Sequence, residues 1–130
     1  MRRQIVQTSG APAAIGPYSQ AVLVEGGRTL YVSGQIALEP TSGAIVGAGD
    51  VKVQTTRVLD NLAAILHAAG MGFGNIAKAN IFLTDLADFG AVNELYGARF
   101  DADPPARATV QVAGLPKGVL VEIDAIAVGK

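Results

Sequence analysis

Leu120-Val121-Glu122-Ile123-Asp124-Ala125-Ile126-Ala127-Val128 decides the fold. Successive side chains of a strand point to opposite faces, and this run is apolar on both, as Leu120-Val121-Glu122-Ile123 already shows. Such a strand has to be covered on both sides. Just upstream, Gly114-Leu115-Pro116-Lys117-Gly118 forms a turn after a strand at 108–112. Before that, Phe89, Val92, Leu95, Tyr96, Arg99 and Phe100 recur at helical spacing and predict a helix over 86–100. The β-branched and aromatic residues of 77–84 predict a buried strand. Asp50 is placed to cap a helix running to about residue 69 on a stripe of Val58, Leu59, Leu62, Ile65 and Leu66, which Gly70 ends. Two β-type runs, 19–24 and 29–33, flank Gly26-Gly27, a hairpin signal, and 3–7 reads as a short strand. The order β-β-β-α-β-α-β-β predicts one α+β domain over 1–130, a mixed six-stranded sheet with two helices on one face. Its other face stays bare, which predicts a homo-oligomer.

Composition points the same way. Half of the 130 residues are hydrophobic and only 16% are charged, against a usual charged share of about 25%. A small domain so poor in charge hides surface against other copies of itself. A net charge of -1 provides no electrostatic footprint for nucleic acid or for an anionic membrane. The chain has no cysteine, so thiolate chemistry and disulfides are excluded. Its single histidine, His67, with no H-x-x-x-H and no carboxylate cluster, leaves a metal site unsupported. No secretory signal and no membrane-spanning run are present, and the expected compartment is the cytoplasm. Gly70-Met71-Gly72-Phe73-Gly74 follows a helix and precedes a strand, the wrong order for a dinucleotide fingerprint.

Arg107 is the only charged residue between Asp103 and Lys117, and it stands at the mouth of an apolar strand. A guanidinium there needs an anion, supplied either by the protein as a buried ion pair or by a ligand. Glu122, between Val121 and Ile123, is costly to ionise unless paired, and is either a tuned carboxylate or a sheet-edge ion-pair partner of Arg107 or a lysine. Tyr18, on the turn after Gly16-Pro17, either floors a pocket or simply packs on that turn. Gly34, in Tyr31-Val32-Ser33-Gly34-Gln35, permits a bulge or a close ligand approach, or ends the strand. Asn93 is expected on the polar side of its helix, and His67 to be packed or solvated.

Gly16-Pro17-Tyr18-Ser19-Gln20, Val32-Ser33-Gly34-Gln35-Ile36, Val92-Asn93-Glu94-Leu95-Tyr96, Pro105-Ala106-Arg107-Ala108-Thr109-Val110 and Val121-Glu122-Ile123-Asp124-Ala125-Ile126-Ala127 together resemble the RidA (YjgF) family, in order and nearly end to end. The resemblance implies a chorismate-mutase-like α+β fold, assembled as a homotrimer with sheets packed inward as a barrel and clefts between subunits. It implies hydrolysis of 2-imino and enamine acids to 2-keto acids and ammonia, with no cofactor and a small imino acid as partner. It makes Arg107 the carboxylate anchor and Glu122 the group that positions water, and it places Tyr18, Ser33, Gly34 and Asn93 along the cleft. Many members have cysteine where Thr109 stands; the family's use of that position is a main-chain carbonyl, so the exchange rules out a thiol role only. The alternative expectation is a non-catalytic trimer that binds a keto acid, or a chaperone-like protein. The ribonuclease activity described for some members fits poorly with a chain lacking a basic stripe and a histidine pair.

Overall fold

A computed structural model describes residues Met1–Lys130. Six strands and two helices follow the expected order: β1 (Arg2–Val6), β2 (Ala21–Glu25), β3 (Arg28–Gln35), α1 (Val51–Ala68), β4 (Ile76–Leu83), α2 (Phe89–Gly97), β5 (Ala106–Gln111) and β6 (Val121–Gly129). No helix is long and apolar enough to cross a membrane.

The first helix starts where its cap predicts. The Asp50 carboxylate accepts from the Lys52 and Val53 amides at 3.1 and 3.2 Å, satisfying donors that have no partner within the helix. At the other end, Gly70 adopts φ +73°, Met71 N donates to Leu66 O and Gly70 N to His67 O, the paired reverse bonds of a Schellman motif. Val58, Leu59, Leu62 and Leu66 are buried, while His67 is exposed. Buried beside that stripe is Gln54, whose amide donates to Gly47 O and accepts from Leu120 N, tying the helix to the start of β6. The second helix is shorter than its periodicity predicts. Leu86–Asp88 form a 3₁₀ turn capped by Asp85, and the α-helix proper ends at Gly97.

β3, β6, β4 and β5 form one mixed sheet in that order, with β4 and β5 parallel and the other pairs antiparallel. The parallel pair is joined through α2, the kind of crossover that a parallel connection requires. The expected single sheet of six strands is divided, because β1 and β2 pair with each other and not with the rest. Gly26-Gly27 does turn the chain, with φ of 70° and 81°, but the strands it joins belong to different sheets. The reason is a close crossing. A Cβ on Gly27 would lie 2.9 Å from Met1 Cβ and would press on the Gly129 carbonyl, so the turn passes over the end of β6 and delivers β3 to that strand's edge.

Both helices cover one face of the four-stranded sheet. Val121, Ile123 and Ala127 of β6 have no exposed surface there, facing the buried stripe of α1. Glu122, Asp124 and Ile126 alternate to the opposite face, away from the helices, and are half-buried. Tyr31 pairs with Ile126 there and Phe82 lies between Glu122 and Val110. Tyr31 is 76% and Val110 44% exposed, so apolar side chains on this face meet solvent in the single chain, alongside the carboxylates of Glu122 and Asp124.

Candidate functional site

Arg107 enters β5 opposite Ala79, a fully buried residue on the helix side of the sheet, and its side chain therefore meets α2. Nη1 donates to Asn93 Oδ1 at 2.6 Å. The guanidinium carbon lies 5.2 Å from the ring centre of Tyr96, 5.5 Å from that of Tyr18 and 5.8 Å from that of Phe89. Aromatic faces at such distances attract a cation. Nothing in the chain neutralises it, since the one ion pair present joins Arg99 to Asp60 at 2.8 Å. Burial accordingly pulls the Arg107 pKa below its ordinary value, with the Tyr96 and Tyr18 phenols opposing that shift. The ion pair with Glu122 that the sequence left open is not formed within the chain.

Local sequence explains how the cage is assembled. Ser19 N donates to Pro105 O at 3.0 Å and its hydroxyl to Pro104 O, pinning the head of β2 to the prolines that precede Arg107. Gly97 leaves room at the end of α2 for Pro17, since a Cβ there would stand 3.2 Å from Pro17 Cβ. Together these contacts bring Gly16-Pro17-Tyr18 beside the guanidinium. The Tyr96 side chain is 1% exposed, its hydroxyl has no partner in the chain, and burial raises its phenol above the ordinary range. Thr109 shares the face of Arg107 through its pairing with Ile81, and its buried hydroxyl is likewise unpartnered.

Ser33, Gly34 and Glu122 form a second group. Val32 pairs with Ala125 and Gln35 with Ile123, so Ser33 and Gly34 together oppose Asp124 alone. This is a β-bulge, and the strand continues through it rather than stopping. A Cβ on Gly34 would fall 2.8 Å from Glu122 Cδ and 3.1 Å from Cγ, so the missing side chain is what admits the carboxylate. Neighbouring Asp124 is satisfied by Asn80, whose Nδ2 donates at 2.8 Å. The Glu122 carboxylate takes no such bond and stands on the face away from the helices, beside Phe82.

The chain thus brings Tyr18, Asn93 and Arg107 together, and separately Ser33, Gly34 and Glu122. Ala79 pairs with both Arg107 and Ala125, and Glu122 lies an odd number of residues from Ala125, so the two groups sit on opposite faces of the sheet. Asn93 is half-buried against the arginine instead of lying on a solvated helix face. Phe89 and Tyr96 are site residues that helical periodicity alone assigned to packing. Their spacing with Asn93, four and then three residues along one helix face, is the signal that groups them. No three His, Cys, Asp or Glu side chains gather as a metal site would need.

Known proteins are similar to this chain over nearly its whole length. The family model described as Endoribonuclease L-PSP matches residues 8–129. Protein DfrA of Myxococcus xanthus is 54% identical over 128 residues, 98% of this chain and 97% of its own. The 2-iminobutanoate/2-iminopropanoate deaminase of Rattus norvegicus is 54% identical over 126 residues, 97% of this chain and 90% of its own. The solved structure of E. coli TdcF with bound serine is similar with a TM-score of 0.74 at 46% identity, over 98% of this chain and 99% of that one. With likeness of this extent at the level of sequence and of fold, the chain belongs to the Endoribonuclease L-PSP family, the RidA (YjgF) family that its motifs resemble.

Proposed function

We propose that the protein hydrolyses small 2-imino acids to 2-keto acids and ammonia in clefts between copies of itself, with Arg107 as the carboxylate clamp. The observation that carries this reading is a half-buried guanidinium with no counter-ion, steered by Asn93 and backed by three aromatic rings. A planar fork of donors matches a carboxylate. The relative named as a 2-iminobutanoate/2-iminopropanoate deaminase and the relative holding serine both support a small amino-acid-like ligand.

The chemistry asks little of the protein. A protonated imine carbon is already electrophilic, so no cofactor is needed, and the site contributes orientation and a placed water. Water adds to that carbon while a carboxylate takes its proton; the nitrogen then leaves as ammonia and the carbon keeps the oxygen as a ketone. Glu122 is the base in this scheme, assisting by about 10²- to 10⁴-fold. Arg107 and Glu122 point away from each other across their own sheet. The cleft therefore combines Tyr18, Asn93, Arg107 and the Thr109 main chain of one copy with Ser33, Gly34 and Glu122 of the next. The exposed apolar face that holds Glu122 is the surface that association would cover, and we assign it to a homotrimer.

The test generates an imine in place with an amino-acid oxidase and follows its disappearance against trapping by semicarbazide. Wild type should turn over rapidly. Arg107→Ala should lose about a hundredfold or more in kcat/KM, since charge-assisted hydrogen bonds contribute about 1.5–3 kcal/mol each. Glu122→Gln should lose kcat. Keto-acid binding by wild type without turnover would establish the non-catalytic alternative, and equal rates for wild type and Arg107→Ala would remove the clamp.

A further inference from the structure

We propose that Gln20, which is not part of the Arg107 cage, is a positioning residue for it, holding in place the strap of residues 8–17 that carries Gly16 towards Tyr18 and the guanidinium. The proposal rests on reading Arg107 as a carboxylate clamp. Gln20 Oε1 accepts from Thr8 N at 2.7 Å, and Nε2 is shared among Thr8 O, Ala11 O and Pro12 O at 3.1, 3.2 and 2.7 Å. One amide thus makes four contacts with a single stretch of backbone.

Little else within the chain holds that stretch. Every residue from Val6 to Gly16 is exposed, Ile15 at 93%. Between Thr8 and Ile15 the other hydrogen bonds are Gly10 N to the Thr8 hydroxyl, at 3.1 Å, and Ile15 N to the Tyr18 hydroxyl, at 3.3 Å. Beneath the strap is a hollow of about 720 Å³ lined by Val6, Ala11, Ala13, Tyr18 and Gln20 among others, so packing does not fix it from below. Yet the far end of this strap lies beside the clamp. A Cβ on Gly16 would lie 3.7 Å from Arg107 Nη2 and from the Tyr18 ring, and the Tyr18 hydroxyl bonds back to the strap at Ile15. Backbone that ordinary packing would restrain is here restrained by a side chain two residues beyond Tyr18.

Removing that amide lowers the fraction of molecules whose strap is in place. Apparent affinity falls by the same fraction, while molecules that have bound substrate react as before. Gln20→Met removes all four contacts at similar size. Gln20→Glu keeps the acceptor for Thr8 N and loses the donors to the three carbonyls, providing a second variant should the first fold poorly. Four quantities are measured: KM and kcat for an imine generated in place, the Kd of 2-ketobutyrate by calorimetry, and the rate of amide hydrogen exchange at Ile15. We expect KM and Kd to rise about tenfold, kcat to stay within about twofold, and Ile15 to exchange about tenfold faster. A lower melting temperature with wild-type KM, Kd and Ile15 exchange would make Gln20 merely structural and overturn the proposal, as would a collapse of kcat at unchanged KM. Should wild type fail to turn over any imine, the deaminase reading falls while Kd and Ile15 exchange still decide the role of Gln20. If wild type also binds no keto acid, unchanged exchange overturns the proposal and faster exchange sustains the restraint.

Discussion

Asn93 offers Arg107 a neutral oxygen where an aspartate would offer a charge. In the proposed clamp, that difference leaves the guanidinium open to a ligand. Asn93→Asp would place a carboxylate at the same 2.6 Å and supply from within the protein the anion that the cage otherwise lacks. We expect this variant to fold at least as stably as wild type while KM rises tenfold or more, about 1.4 kcal/mol of lost binding; unchanged KM would show that the guanidinium is not the carboxylate's partner. Gly34 poses the converse case. Its added methyl group in Gly34→Ala would meet the far end of a flexible side chain rather than backbone, because the near atoms belong to Glu122. The Glu122 carboxylate can swing aside at small cost to folding, but it then leaves its position. Expected are a melting temperature within about 2 °C of wild type and a loss of about a hundredfold in kcat, the effect of removing a general base. A destabilised but fully active variant would argue that the bulge serves the backbone alone.

At the scale of elements, the sequence reads well where one local rule decides. Asp50 has free amides to accept and Gly70 a left-handed turn to make, so both ends of α1 follow from neighbours in the chain. The apolar alternation of β6 likewise needs only the strand itself. Gly26-Gly27 misleads because a turn signal specifies a reversal and not which strand edge receives the returning chain; that depends on Gly129 and Met1, both remote in sequence from it. Periodicity alone misreads Asn93 for the same reason, since its partner on β5 outweighs the helix face. Thr41 and Ser42 illustrate a local rule with a measurable consequence. Their amides donate to Glu39 Oε2 at 3.1 and 2.6 Å. The Ser42 backbone above all, then the Ser42 side chain and the Thr41 backbone, lower the Glu39 pKa from 4.5 to about 2. A carboxylate depressed in this way favours the folded loop fully above its unfolded pKa, and the contribution is lost as pH falls from about 4.5 towards about 2. An NMR titration of the Ser42 amide should therefore show a midpoint near 2; a midpoint near 4.5 would mean that the turn does not form as described.

Over the whole molecule, the division of the strands into sheets of two and four leaves the larger sheet with helices on one side only. Tyr31 and Val110 stand exposed on the other side, and the homotrimer proposed above would cover them, in keeping with the low charge content of the sequence. What sequence alone could not provide is the placement of Arg107 and Glu122 on opposite sides of that sheet. It depends on the registers of β5 and β6 against β4, which no local pattern fixes.

If the proposed clefts lie between copies, that two-sidedness lets two crippled proteins repair each other. Arg107→Ala would then spoil the cleft in which a chain provides its arginine, and Glu122→Gln only the neighbouring one. Unfolding the two inactive variants together and refolding them as a mixture should restore about one cleft in four, the chance that both intact halves meet at random in a cyclic assembly. Each variant refolded by itself should stay silent. Were the mixture silent too, the arginine and the carboxylate would not be shared between chains.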